Sequence, residues 1–153
     1  MTMISSQMVR QHLDQFLDHF SNLTSQDRYC RFSHTMSPDA IRDWLLKLGE
    51  DPHSHYFFIE EHNNQFIGIS QLSLNADRTI GEIGISVHPD YRGMGISQKM
   101  IKEIFLAAKD KNLSQVGFQC ELGNTNCKKL FTNLGFTINY DSDEQCIKGF
   151  LKL

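Results

Sequence analysis

Two glycines one residue apart, Gly93 and Gly95, suit the binding of an anion. Glycine has no Cβ, so the backbone can come close to a ligand. The helix pattern that follows opens with amides that have no partner inside the helix, and with the helix dipole these attract phosphate. Arg92 adds a permanent positive charge. Residues 92–98 therefore predict a binding site for pyrophosphate, the phosphate seat, although two glycines can also make an ordinary tight turn.

The elements on either side of these glycines would position the seat. Residues 80–87 alternate apolar and polar or small side chains, as in a strand with one buried face. His88-Pro89 ends the strand, because proline cannot donate to a ladder. From Ile96 to Ala108, apolar residues recur every three or four positions, as in a helix. Two other phosphate loops are excluded, since Gln98 replaces the third glycine of G-x-G-x-x-G and no G-K-[ST] occurs.

Two ordered segments give the chain a family resemblance. "V-H-P-D-Y-R-G-M-G-I-S", residues 87–97, resembles the acyl-CoA-binding signature [QR]-x-x-G-x-[GA] of the GNAT superfamily of N-acetyltransferases. Arg92 and Gly95 match it, and Ser97 replaces the last small residue. "N-T-N-C-K-K-L-F-T-N-L-G-F", residues 124–136, is similar to the family's "N-x-x-A-x-x-L-Y-x-x-L-G-F". The resemblance extends from about Gln7 to the end of the chain.

The resemblance implies an α+β fold, and we expect residues 1–153 to form a single GNAT domain. Its sheet would be mixed and mostly antiparallel, with six to seven strands, a splayed pair of parallel strands and about four flanking helices. The first strand of the family would be short or missing, because about five residues precede the first helix pattern. We expect the parallel pair to be 80–87 and 115–121, with the gap between 83–87 and its neighbour.

The same resemblance implies the residues that bind acetyl-CoA, the expected cosubstrate. Main-chain groups of Ile85 and Val87 would pair with the pantetheine arm, and Asn124 would hold its far side. Lys128, with Lys129, would meet the nucleotide phosphate, although a solvated helix face also explains these lysines. The other predicted cofactor-binding residues lie on the strand 80–87 and in the segment 92–98. They are Ile85, Ser86, Val87, Arg92, Gly93, Met94, Gly95, Ile96, Ser97 and Gln98.

The implied reaction is attack of a primary amine, on a small molecule or a protein lysine, at the thioester. Such an amine has a pKa of about 10.4, so a base is useful near pH 7. Glu82 matches a strand position where several family members place a catalytic or water-positioning glutamate, although it could be an ordinary exposed carboxylate. Glu121 is a weaker candidate. The Val87 amide would polarise the thioester oxygen.

Phe131 stands where most active members have a tyrosine that protonates the leaving sulfur. The chain could use another acid, such as Cys127, use water, react slowly, or bind CoA without turnover. The acceptor pocket would lie near the segment 23–36. This segment resembles "L-S-P-E-S-R-Y-x-R-F" of some GNAT domains, including those of bacterial protein-lysine acetyltransferases, but it also reads as a capped turn. Tyr29, Arg31, Phe32 and His34 would then lie near the substrate.

Composition narrows the classes of partner. The net charge of -3 and pI of about 6.1 give no basic excess for nucleic acid. No apolar run spans a membrane and no signal peptide is recognised, so we expect a cytoplasmic protein with four free thiols. His53 and His55 are two residues apart and could share a metal ion on a strand, but no third ligand accompanies them, so no metal site is predicted. We expect a monomer or a homodimer.

Overall fold

The computed structural model describes residues 1–153 and contains a seven-stranded sheet in the order β1-β2-β3-β4-β5-β7-β6. The strands are β1 Thr2–Ser5, β2 His55–His62, β3 Gln65–Leu74, β4 Ile80–Val87, β5 Gln115–Glu121, β6 Thr137–Asp141 and β7 Cys146–Lys152. The helices are α1 Leu13–Asn22, α2 Ser25–Phe32, α3 Pro38–Leu48, α4 Ile96–Asp110 and α5 Thr125–Asn133. None of the helices has the length and apolar character that crossing a bilayer requires.

The sheet is antiparallel except at its centre, where β4 and β5 are parallel. This pair is joined only at Ile80↔Gln115, Gly81↔Val116 and Glu82↔Gly117. Beyond Glu82, β4 continues to pair with β3 as far as Val87, and β5 continues to pair with β7 as far as Glu121. The two strands therefore separate, and the expected α+β fold with a splayed parallel pair is confirmed.

Apolar side chains cover both faces of the sheet. On one face, α1 and α3 bury a cluster that includes Phe16, Phe20, Leu45 and Ile69. On the other face, a second cluster joins α4 and α5 to the sheet and includes Ile101, Ile104, Val116 and Phe131. Each such side chain contributes about 1.5–3 kcal/mol when fully buried. These two clusters fix the helices that flank the gap between β4 and β5.

Gly68 on β3 determines how closely α4 approaches the sheet. A Cβ at this position would lie 2.8 Å from Cγ2 of Ile96 and 3.2 Å from Sδ of Met100. The absence of a side chain therefore lets the first turns of α4 pack directly on β3. This contact sets the N-terminus of α4 beside the end of β4, where the phosphate seat is predicted.

The segment before α3 contains one more helix than the sequence predicted. Residues 25–32 form α2 rather than a turn, and the Thr24 Oγ1 accepts a hydrogen bond from the Asp27 amide at 3.1 Å as its N-cap. Ser33 ends it with φ of 61°. No residue of α2 is fully buried. The helix has too few apolar residues to form a stripe at helical spacing, and this is why the pattern missed it.

The N-terminal region also differs from the sequence prediction. A short first strand is present at Thr2–Ser5, and residues 6–12 form a 3₁₀ helix, so α1 begins at Leu13 instead of residue 7. The start of α3 is as predicted, because the Ser37 Oγ accepts from the Ala40 amide at 3.1 Å and Pro38 occupies the first turn.

Candidate active site

A cleft of about 1090 Å³ opens where β4 and β5 separate. Its walls include β4 from Glu82 onward, the end of β5, the N-terminus of α4, and parts of α2, α3, α5, β2 and β3. Predicted site residues on these walls are Glu82, Ile85, Ser86, Val87, Arg92, Gly93, Gly95, Ile96, Ser97, Gln98 and Asn124. The splay therefore brings most of the predicted residues to one cavity.

The edge of β4 that faces the cleft presents unpaired main chain. The His88 amide donates to the Ile67 carbonyl of β3 at 2.7 Å. In an antiparallel ladder alternate residues face the same neighbour, so the main-chain groups of Ser86 also face β3. Those of Ile85 and Val87 point to the other edge, where β5 has already diverged. These two residues can accept a strand-like ligand that carries its own amides.

The phosphate seat, residues 92–98, is free of obstruction. Gly93 and Gly95 have φ of 76° and 75°, a left-handed conformation that favours glycine. A Cβ at Gly93 would meet nothing within 4 Å, and one at Gly95 would meet only the Gln98 Oε1 at 3.9 Å. The first hydrogen bond of α4 runs from the Lys99 amide to the Gly95 carbonyl at 3.1 Å. The amides of residues 96–98 therefore lack helical partners, as an anion site requires.

Arg92 forms an ion pair with Asp27 of α2. Both residues lie on the wall of the cleft, and the Arg92 side chain is half exposed. The guanidinium at the rim of the seat is therefore held by a carboxylate from α2. An anion that enters the seat must share or replace this partner.

Glu82 lies on the cleft wall at the last paired position of β4 and β5, and its residue is exposed. It occupies the same face of β4 as Gly84 and Ser86, because side chains alternate along a strand. Glu121, the weaker candidate, lies outside the cleft wall. Its Oε2 accepts from the Gln26 Nε2 at 3.4 Å and from the Cys30 Sγ at 3.6 Å. The geometry therefore favours Glu82 as the carboxylate facing the cavity.

Ser86 makes a buried hydrogen bond that the sequence did not indicate. The His19 Nδ1 lies 2.7 Å from the Phe66 carbonyl and must donate to it, so Nε2 accepts from the Ser86 Oγ at 2.8 Å. Burial lowers the pKa of His19 to about 4. Neutral His19 thus ties α1 to β3 and β4, and it holds the strand segment whose outer edge faces the cleft.

Three predicted ligand residues differ from the expected arrangement: one caps a helix, and two lie off the cleft wall. The Asn124 Oδ1 caps α5 by accepting from the Cys127 amide at 3.0 Å, which leaves its amide nitrogen for a ligand. Lys128 is exposed and lies off the wall, whereas Lys129 lies on it. Met94 is 67% exposed and is also off the wall. Of the two lysines on α5, Lys129 is therefore the one that lines the cleft.

Phe131 lines the cleft and is almost fully buried. Its ring stacks on Phe118 with a centroid distance of 3.8 Å. Cys127 also lines the cleft, but its hydrogen bond to Cys120, together with burial, raises the pKa of the Cys127 thiol. A thiol with a raised pKa is a weaker proton donor, so the structure gives Cys127 little support as a replacement acid.

Of the residues expected near a substrate from the segment 23–36, the cleft wall includes Arg31, Phe32 and His34 but not Tyr29. His55 bonds through Nδ1 to the Ser73 Oγ at 3.2 Å. No group of three or more His, Cys, Asp or Glu side chains is arranged to hold a metal ion.

Comparison with known proteins identifies the family of the chain. The sequence model of the Acetyltransferase (GNAT) family matches residues 17–136. An uncharacterized N-acetyltransferase of Methanocaldococcus jannaschii is 26% identical over 153 residues, covering 95% of this chain and 63% of the relative. The chain thus spans less than two thirds of that curated relative.

Solved structures share the fold at low sequence identity. The GNAT domain of S. lividans PAT superposes with a TM-score of 0.77 at 13% identity, covering 94% of this chain and 86% of that one. Spermidine N-acetyltransferase from Vibrio cholerae, in complex with CoA and spermine, gives a TM-score of 0.75 at 17% identity, covering 99% and 94%. With the matched sequence and the splayed central strands, we conclude that the chain belongs to the GNAT acetyltransferase family.

Proposed function

We propose that this chain transfers the acetyl group of acetyl-CoA to a primary amine by direct attack on the thioester. The observation that carries the proposal is the open edge of β4 at Ile85 and Val87 beside an unobstructed phosphate seat. A ligand with amides along its arm and a diphosphate at its end matches both features. Bound acetyl-CoA would supply a thioester carbonyl as the electrophile.

The chain's own residues would bind and polarise this substrate. Ile85 and Val87 offer main-chain groups to the arm, and the amides of residues 96–98 receive the diphosphate. Glu82 takes a proton from the acceptor ammonium, directly or through water, because an ammonium has no lone pair for attack. The Val87 amide donates to the thioester oxygen, on which negative charge develops as the C–N bond forms. The C–S bond then breaks, and CoA leaves as a thiolate that takes its proton from water.

The first test is binding followed by turnover. Calorimetry with CoA should give a saturable complex, and release of free thiol from acetyl-CoA should require both the protein and an amine. Absence of CoA binding would contradict the proposal. CoA binding without turnover across a broad panel of amines would favour the second candidate, a non-catalytic acyl-CoA-binding module.

Phe131 is the observation that favours this second candidate, since its ring has no proton for a leaving thiolate. We expect Phe131→Tyr to raise kcat by tenfold or more, because general acids contribute about 10²–10⁴-fold. Steady-state thiol release at saturating acetyl-CoA measures the change. Phe105→Tyr on α4 is the matched control, because Phe105 lies off the cleft wall. No gain in Phe131→Tyr, or an equal gain in the control, would show that the missing acid does not limit the reaction.

Asp27 should weaken CoA binding, since its carboxylate holds Arg92 and adds negative charge near the seat. We expect Asp27→Asn to tighten CoA binding by about two- to fivefold, the range that exposed ion pairs of up to about 1 kcal/mol allow. Calorimetry at low salt measures the change, which should shrink at high salt. Asp39→Asn, in the first turn of α3 and off the cleft wall, is the control. Unchanged or weaker binding by Asp27→Asn would contradict the expectation.

A further inference from the structure

The cleft wall formed by α2 and β4 holds a guanidinium at a tightly packed position. Arg31 lies flat over Gly84 of β4, where a Cβ would be 2.6 Å from its Cζ. Its Cζ is also 5.2 Å from the ring centroid of Phe32 and 5.5 Å from that of Trp44. The position of this charge is therefore fixed by the glycine below it and by two aromatic rings.

The guanidinium is under-satisfied by the protein. A guanidinium carries five N–H donors, and here Nη2 donates to the Gln71 Oε1 at 2.5 Å. Nε is buried and has no hydrogen-bond partner. Arg31 takes part in none of the ion pairs of the structure. The charge of Glu82 favours the charged form of this partly buried group, but no carboxylate lies within ion-pair distance of it, so its free donors can bind an anionic partner from outside the chain.

The charge is retained at neutral pH, and it lies close to the candidate base. Burial lowers the pKa of Arg31 to about 10, and the charge of Glu82 opposes this shift. Gly84 and Glu82 are two residues apart on one face of β4, which corresponds to about 7 Å along a strand. A small molecule can therefore contact the guanidinium with one end and approach Glu82 with the other.

Resting on the proposed function, we propose that the acceptor is a small amine that also carries a carboxylate, and that Arg31 binds this carboxylate. Arginine suits the role because its fork matches both oxygens of a carboxylate. The bound carboxylate leaves the amine on the Glu82 side of the cleft. A polyamine would instead bring a second positive charge against Arg31, and an internal protein lysine has no carboxylate of its own to offer.

Matched amine pairs test this inference. Each amino acid is compared with the amine left when its carboxylate is removed: lysine with 1,5-diaminopentane, methionine with 3-(methylthio)propylamine, and phenylalanine with phenethylamine. We expect kcat/KM to favour the amino acid by about 10- to 150-fold in at least one pair, the value of a hydrogen bond to a charged group. Arg31→Gln should remove this preference, and Arg31→Lys should restore part of it.

Controls separate this inference from the proposed function. Arg42→Gln makes the same change on the exposed surface of α3 and should keep the preference. CoA affinity, measured for each variant, reports that the cleft is folded. If no amine is turned over, the proposed enzyme function fails, and the inference is judged by NMR titration of the CoA complex with N-acetyl-amino acids and their decarboxylated counterparts.

In that titration the carboxylate-bearing compound should bind at least tenfold more tightly to the wild type, and the difference should disappear in Arg31→Gln. Equal turnover or equal binding of the paired compounds would overturn the inference. A carboxylate preference that survives Arg31→Gln would overturn it as well.

Discussion

Glu82→Gln is expected to lower kcat with the best amine acceptor by about 10²–10⁴-fold, the usual contribution of a general base. The amide keeps the size of the side chain but cannot take a proton from an ammonium. CoA affinity should remain within twofold, because Glu82 lies outside the phosphate seat. Steady-state thiol release gives kcat, and the residual activity should increase with pH as more of the acceptor is already deprotonated.

Glu121→Gln is the matched control for this prediction, because it makes the same change at the end of the neighbouring strand. Its side chain lies off the cleft wall, so kcat should fall by less than threefold. If Glu82→Gln keeps nearly full activity, or if Glu121→Gln loses as much, Glu82 is not the base. Recovery of activity at high pH would distinguish loss of a base from damage to the cleft.

Acidification from pH 7 to pH 4 is expected to lower the free energy of unfolding by about 3 kcal/mol through His19 alone. His19 is fully buried, and burial lowers its pKa from the ordinary value of 6.5 to about 4. The unfolded chain therefore binds a proton near pH 6.5, whereas the folded chain resists it until about pH 4. The contribution is fully present above pH 6.5, decreases between 6.5 and 4, and is lost below 4.

Denaturant unfolding at a series of pH values measures this effect. His19→Gln should unfold more easily at pH 7, since it loses the bonds to Phe66 and Ser86, but its stability should change less with pH. His53→Gln, an exposed histidine, should keep the wild-type slope. Identical slopes for the wild type and His19→Gln between pH 6.5 and 4 would contradict the account.

The glycine turn at residues 93–95 and the central strand could be predicted because they depend on local signals. Gly93 and Gly95 have positive φ, and few residues other than glycine adopt this conformation readily. The alternation along 80–87 and the three- and four-residue spacing after Ile96 predicted β4 and α4 with the right bounds within one or two residues. Such patterns reflect short-range geometry, which the sequence displays directly.

The remaining features depend on contacts between distant segments. The short helix α2 has no fully buried residue, so its Asp27–Arg92 ion pair and the placement of Arg31 over Gly84 could not be read from spacing. His19 is a single polar residue in an apolar stripe, and only the fold shows that Ser86 and Phe66 satisfy it. On α5, the choice between Lys128 and Lys129 depends on the rotation of the helix about its axis.

A crystal structure of the chain with CoA tests the central claim most directly. We predict that the diphosphate lies within hydrogen-bond distance of the amides of residues 96–98. The pantetheine arm should pair with the main chain of Ile85 and Val87 in the gap between β4 and β5. CoA bound elsewhere on the chain, or β4 and β5 paired along their full length with no ligand between them, would contradict the account.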